Sequence, residues 1–158
     1  MFGTWKWGDW RHSRKYQSTM LYAVGVSLLY EFLTVNYPIW VFSDFWLPSH
    51  TLNSLIVTLI GIPLSVLIFL SRFPEHSIRK QIIHVLWWVL LYAAIELFWV
   101  IIGLFHYYHG WTFWWSVLFD CIMFPMVRLH YKRPLLAFAI SIPIVITFMV
   151  VFHVPILK

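Results

Sequence analysis

Charge is what this sequence has least of. Asp, Glu, Lys and Arg make up 11% of its 158 residues, where ordinary soluble domains carry about a quarter. With 61% hydrophobic residues and a mean hydropathy of +0.78, that shortage excludes a soluble globular domain and identifies a membrane protein. There is one cysteine, Cys121. It rules out an internal disulfide and, lying inside an apolar run, reads as packing. Internal repeats, low-complexity tracts and long linkers are missing, and an odd number of apolar runs argues against an inverted-repeat transporter folded within one chain. Apolar runs and short connections consume nearly all of the length, so no separate soluble catalytic module fits and any chemistry must occur in or at the bilayer. The net charge of +5 could suggest nucleic acid as a partner, but the basic residues sit in short clusters flanking apolar runs, and no nucleic-acid-binding motif accompanies them.

What is abundant is hydrophobic length and aromatic surface. The pattern predicts an all-α polytopic membrane protein, a single transmembrane domain over 1–158 with spans at about 16–35, 51–70, 81–105, 111–127 and 135–152. Residues 1–15 hold Trp5, Trp7 and Trp10 among Lys6, Arg11, Arg14 and Lys15, a cytoplasmic amphipathic lead-in suited to anionic headgroups. The first span is too polar at Glu31, and too poor in small residues near its end, to be a cleaved signal. Between the first two spans, Trp40, Phe42, Phe45 and Trp46, interrupted by Pro38 and Pro48, are predicted to lie along the outer interface. Aromatics reach 21%, including 11 Trp, and interfacial belts account for most of them.

Orientation follows from the basic residues. With the N-terminus inside, cytoplasmic segments hold Lys6, Arg11, Arg14, Lys15, Arg72, Arg79, Lys80, Arg128, Lys132 and Arg133, and the outside holds Lys158 alone. Five spans, N-terminus cytoplasmic and C-terminus outside, satisfy the positive-inside rule.

Three of the six acids, Glu31, Glu96 and Asp120, fall inside the spans. An ionisable group at membrane depth costs about 2.5–3.5 kcal/mol on the mild insertion scale, so it faces the protein interior or a wet cavity and has a partner. At ~1.5 Å per residue, Glu31 and Glu96 lie roughly 20 Å from the cytoplasmic ends of their spans, and Asp120 roughly 13 Å from the outer end of its own. All three fall in the middle-to-outer half of the bilayer. Ser27, Glu31 and Thr34 share one helical face, as do Tyr92, Glu96, Gly103 and Tyr107, and Ser116 precedes Asp120 by one turn. Glu31, Tyr92, Glu96, Trp99, Tyr107, Ser116 and Asp120 are therefore the candidate ligand-binding set, and Glu96, Asp120 and Glu31 the candidate acid-base residues. Such carboxyls can fix helix register, bind a proton, cation or polar head, or act as acids. Ser54, Thr58, Gly61 and Ser65 recur along the second span as a small-residue packing stripe. Pro63, Pro125 and Pro143 are candidate bends.

Metal chemistry has little to stand on. His106 and His109 flank two tyrosines at i, i+3 beyond the third span, with His50 and His153 also outward, but HExxH and dense His/Cys clusters are absent. His12, His76, His84 and His130 fall at or near the cytoplasmic side and suit headgroup contact. No cofactor is implied. The partners expected are the bilayer, a lipid-like or cationic small ligand, and a second copy or another membrane protein.

From Tyr92-Ala-Ala-Ile-Glu96 through Gly103 and His106-Tyr-Tyr-His-Gly-Trp111 to Trp115-Ser116, Leu129-His130 and Pro134, the chain resembles a family of small uncharacterised multi-pass membrane proteins of endospore-forming bacteria, known by a clostridial locus tag. The resemblance is densest over about residues 85–138. It implies a bacterial cytoplasmic membrane and supplies no catalytic residues. Leu29-Tyr-Glu31-Phe32 through Tyr37-Pro38 is more faintly similar to integral-membrane terpenoid cyclases. That likeness implies acid-base catalysis on a hydrophobic substrate, with aromatic walls stabilising a carbocation.

Overall fold

The computed structural model describes residues 10–43 and 50–155. Trp5, Trp7, Phe45, Trp46 and Pro48, and with them most of the lead-in and half of the outer aromatic segment, lie outside the described residues. A short 3-10 helix, Trp10–Lys15, leads into α1, Gln17–Thr34. Strand β1, Trp40–Phe42, follows. The second helix, α2, begins as His50–Ile56, widens into a π turn over Val57–Gly61 and continues as Ile62–Ser71. Then come α3, Ile78–Ile101, β2, Phe105–Tyr107, α4, Phe113–Lys132, and α5, Pro134–Val151.

The π turn has an identifiable cause. Pro63 has no N–H to give the carbonyl one turn back, and the Ile62 N–H reaches five residues back to Val57 O. Ser65 Oγ donates to Gly61 O at 2.9 Å and lies 3.0 Å from Ile62 O. Local π geometry and hydroxyls are how a helix in hydrocarbon accommodates a proline.

Three of the described helices are long and apolar enough to cross a membrane: Leu52–Ser71, Ile78–Ile101 and Pro134–Val151. Helices α1 and α4 have 18 and 20 residues but are less apolar, because they carry the groups that face inward. On α4, Ser116, Asp120, Phe124, Val127 and His130 are all buried, at the three- and four-residue spacing of one helical face. That face makes α4 the hub, packed on α3, α5 and α1, while α1 also packs along α2.

Two apolar clusters occupy opposite ends of the bundle. One gathers Tyr16, Val66, Leu67, Phe69, Leu70, Val89, Phe124 and Val127. The other gathers Ile39, Trp111, Met149, Phe152 and Val154, with Tyr30, Trp40, Tyr107 and Trp115 against it. Along α1 and α4 the residues between the clusters include Ser27, Ser116 and Asp120, so a polar layer separates the two cores.

The third helix ends before the sequence pattern predicts. It stops at Ile101, and residues 102–104 form a Schellman closure: Gly103 adopts φ 75, its N–H reaches Val100 O at 3.1 Å, and Leu104 N–H reaches Trp99 O at 2.8 Å. Phe105–Tyr107 therefore leaves the helix and pairs antiparallel with β1, Trp40 opposite Tyr107 and Phe42 opposite Phe105. Gly103 and Tyr107 do not continue the helical face of Tyr92 and Glu96. Helix α5 closes in the same way, with His153 at φ 52 in the glycine position and Val154 N–H on Met149 O at 2.9 Å. His153 is thus a helix stop.

At the opposite end, the loop between α2 and α3 is tied to α4. Arg128 lies 2.6 Å and Lys132 3.3 Å from Glu75 Oε2, and the Arg128 guanidinium sits over Phe73, 4.3 Å from the ring centre. Slight burial pushes the Glu75 carboxyl up, but hydrogen bonds from Arg128 and Lys132 and their charge outweigh it and leave it below the ordinary glutamate range. A lowered carboxyl stabilises the fold fully above the glutamate range and ceases to as pH falls through its own lower value. Glu75 is 46% exposed, so its contribution is expected to stay below about 1 kcal/mol. Unfolding in detergent should show Glu75→Gln less stable than wild type at about pH 6, with the difference vanishing in acid well below about pH 4.

Candidate functional site

Glu96 and Asp120 are carried by the packed helices α3 and α4. Each lies a few residues inside its helix, about 8 Å before the end of α3 and about 10 Å after the start of α4 at ~1.5 Å per residue, so both reach the same level of the bundle. Their carboxyls are close enough to interact electrostatically. Asp120 is 7% exposed and Glu96 half-buried.

Hydroxyls from three elements surround the pair. Tyr107, carried back over α3 by strand β2, donates to Glu96 Oε1. Ser116, one turn before Asp120, lies near the Glu96 carboxyl and accepts the Trp111 indole N–H at 2.9 Å. Tyr92 comes within electrostatic range of Asp120 and donates to Ser65 on α2 at 2.6 Å. Burial, and then the hydrogen bond and charge of Glu96, push the Tyr107 phenol well above its usual value, so it remains a proton donor at neutral pH. The turn that returns the chain to α4 is fixed by His109 and Gly110, both at positive φ, with Trp111 N–H on Tyr108 O at 3.0 Å.

The remaining predicted residues fall elsewhere. Trp99 packs edge-on against Phe42, ring centres 5.1 Å apart, and belongs to the aromatic cover made by the strand pair. Glu31 bonds Ser54 of α2, and its helix neighbour Ser27 lies 3.0 Å from Thr58. The three carboxyls are two sites: Glu96 with Asp120 at α3–α4, and Glu31 at α1–α2.

The small-residue stripe of α2 has a function that packing alone does not describe. Ser54, Thr58 and Ser65 each present a hydroxyl to a polar side chain of a neighbouring helix, two toward α1 and one toward α3. Their spacing of four and seven residues carried that signal, since a row made only for close approach is equally served by Gly and Ala.

His106 and His109 diverge. His106 Nε2 lies 2.9 Å from Ser43 Oγ, whereas His109 stacks on Tyr37 with ring centres 3.6 Å apart. Among the described residues no three His, Cys, Asp or Glu side chains converge as metal ligands. His130 is not at the headgroups: it is 2% exposed, 3.1 Å from Thr19 Oγ1 and stacked on Tyr22. Its place in the stripe 116, 120, 124, 127, 130 was legible as burial. Cys121, beside Asp120, is exposed on the outer surface of α4 and contributes no core packing.

No family model, curated protein or solved structure matches the chain.

Removing one donor from a buried acceptor costs about 1–3 kcal/mol. Tyr107→Phe is expected to lower stability in detergent by that amount, and Tyr108→Phe, at an exposed position, to leave it within about 0.5 kcal/mol. Equal effects would contradict the Tyr107–Glu96 bond.

Proposed function

We propose that all five helices cross a membrane, N-terminus inside and C-terminus outside, that this is the bacterial cytoplasmic membrane implied by the family resemblance, and that Glu96 and Asp120 together bind a small cation, a proton or a monovalent ion. The observation that carries this reading is the pairing itself. Two carboxyls lie within electrostatic range of each other at a depth where a bare charge is costly, and the groups around them are hydroxyls and an indole, not arginine or lysine. Among the described residues, ion pairs formed by acids occur at Glu75 alone. Two uncompensated negative charges repel strongly out of water, so the pair calls for a positive species supplied from outside.

The orientation is supported by the basic residues: Arg14, Arg72, Arg79, Lys80, Arg128, Lys132 and Arg133 fall at one end of the bundle, around the starts of α1, α3 and α5 and the ends of α2 and α4. The strand pair at the other end is a short ribbon with open edges, which hydrocarbon does not tolerate. Its aromatic residues suit the outer interface.

A cyclase-like acid acting on a bulky isoprenoid is less well supported. The groove of about 1030 Å³ in this chain runs between α1 and α5 and is lined by neither Glu96 nor Asp120.

Labelling by dicyclohexylcarbodiimide, which attacks protonated carboxyls from the lipid phase, tests the reading. In liposomes, intact-mass analysis is expected to find an adduct on Glu96 or Asp120 that diminishes as pH or Na⁺ concentration rises, and that disappears in the Glu96→Gln/Asp120→Asn variant. Labelling that requires these acids yet ignores both pH and cations would reduce the pair to a structural device.

A further inference from the structure

The groove between α1 and α5 has walls of unlike character along its length. Arg14, with Gln17 and Ser18, stands at one end, and Leu29, Val145 and Ile146 at the other. From residue 18 to residue 29 of α1 is about 16 Å at ~1.5 Å per residue, half of the ~30 Å hydrocarbon core and so the depth of one leaflet. The floor is closed. Tyr22 Oη lies 2.6 Å from Ser141 Oγ, His130 stacks on Tyr22 and packs edge-on against Phe138, and Thr19 holds the His130 ring. The polar groups of the floor bond to one another, so the body of the groove offers an occupant apolar contact.

Two features favour an occupant over simple mispacking. Gly25 faces the groove, and a Cβ placed there meets nothing within 4 Å. Glycine in a helix interior is disfavoured against alanine, yet here it widens an already open channel. Arg14 at the mouth is exposed and has no ion pair among the described residues, and a guanidinium is suited to bidentate phosphate binding.

We propose that this groove is a binding site for an anionic phospholipid of the leaflet on the Arg14 side, one acyl chain lying along Gly25 and Phe138 and the phosphate resting on Arg14. The charge at the mouth selects the headgroup, and the length of the groove selects a chain from one leaflet.

The test is native mass spectrometry of the full chain released from nanodiscs of phosphatidylglycerol or phosphatidylcholine. Wild type is expected to retain one phosphatidylglycerol and markedly less phosphatidylcholine. Arg14→Gln should reduce retention about fivefold, the loss of one basic contact at a charged surface, and Arg14→Lys should restore most of it. Gly25→Phe should abolish retention by filling the channel, while Gly25→Ala, checked for an unchanged melt, keeps it. Equal retention of the two lipids, insensitivity to both Arg14→Gln and Gly25→Phe, or a lipid-free dimer that Gly25→Phe dissociates would each overturn the proposal, the last by assigning the groove to a second copy of the chain.

Discussion

Carboxyls buried among helices can be tolerated only if the protein replaces the water they have lost, and that requirement organises this bundle. Hydroxyl groups supply the replacement. Ser54 serves Glu31, Tyr107 serves Glu96 with Ser116 close by, and the Tyr92 phenol bridges from Ser65 on α2 to the neighbourhood of Asp120. These groups form a layer between two apolar clusters, and their hydrogen bonds link α1 to α2 and α2 to α3, with Asp120 of α4 beside them. Helix association in lipid gains little from hydrophobicity, since lipid tails are as apolar as leucine. The polar layer and close packing therefore fix which faces meet, and α4, the hub, buries its acid, serine and histidine on one stripe.

The irregular segments serve the same layer. Had α3 continued as a helix, Tyr107 would share a face with Glu96 but stand about 16 Å farther along the axis, out of reach. Gly103, able to take φ 75 without a Cβ clash, instead ends α3 and lets β2 fold back against β1, bringing the Tyr107 phenol over Glu96. The π turn before Pro63 lies between Ser54 and Ser65 on α2, so the irregularity falls within the stretch of helix that carries the hydroxyl row.

Much of the scaffold was legible in the sequence because bilayer thickness turns hydrophobic run length into helix length, and the ends of α1, α2 and α5 fall within a few residues of the pattern. The strand pair was not, because its partners are more than 60 residues apart and periodicity reports only local structure. The same limit explains the acids. Sequence depth placed Glu31, Glu96 and Asp120 at similar heights, but height does not say which helices are neighbours, and Glu31 belongs to a different interface. Tyr92 and Ser116 follow from helical spacing to the acids, whereas Tyr107 reaches Glu96 from a strand and not by the helical phase that singled it out. Small-residue spacing marks Ser54 and Ser65 as packing residues, although hydroxyls recurring toward acid-bearing helices have a second use. His130 was placed by its nearness to basic residues, when its helical phase with Asp120 and Phe124 was the better guide.

The site also divides the chemistry of the molecule. Glu96 and Asp120 sit on α3 and α4 under an aromatic cover, whereas the elongated apolar groove lies between α1 and α5 with a cation at its mouth. A small positive species and a long anionic lipid would thus occupy separate places, joined through α4, whose buried stripe carries both Asp120 and His130. The central claim is that Glu96 and Asp120 act as one unit, and a double-mutant cycle on Glu96→Gln and Asp120→Asn, read as unfolding free energy in detergent, measures it most directly. Contacting residues couple by about 0.5–3 kcal/mol, and the pair is predicted to do so, the second substitution having a clearly different effect once the first is in place. Effects that add to within about 0.3–0.5 kcal/mol, the behaviour of distant sites, would contradict it.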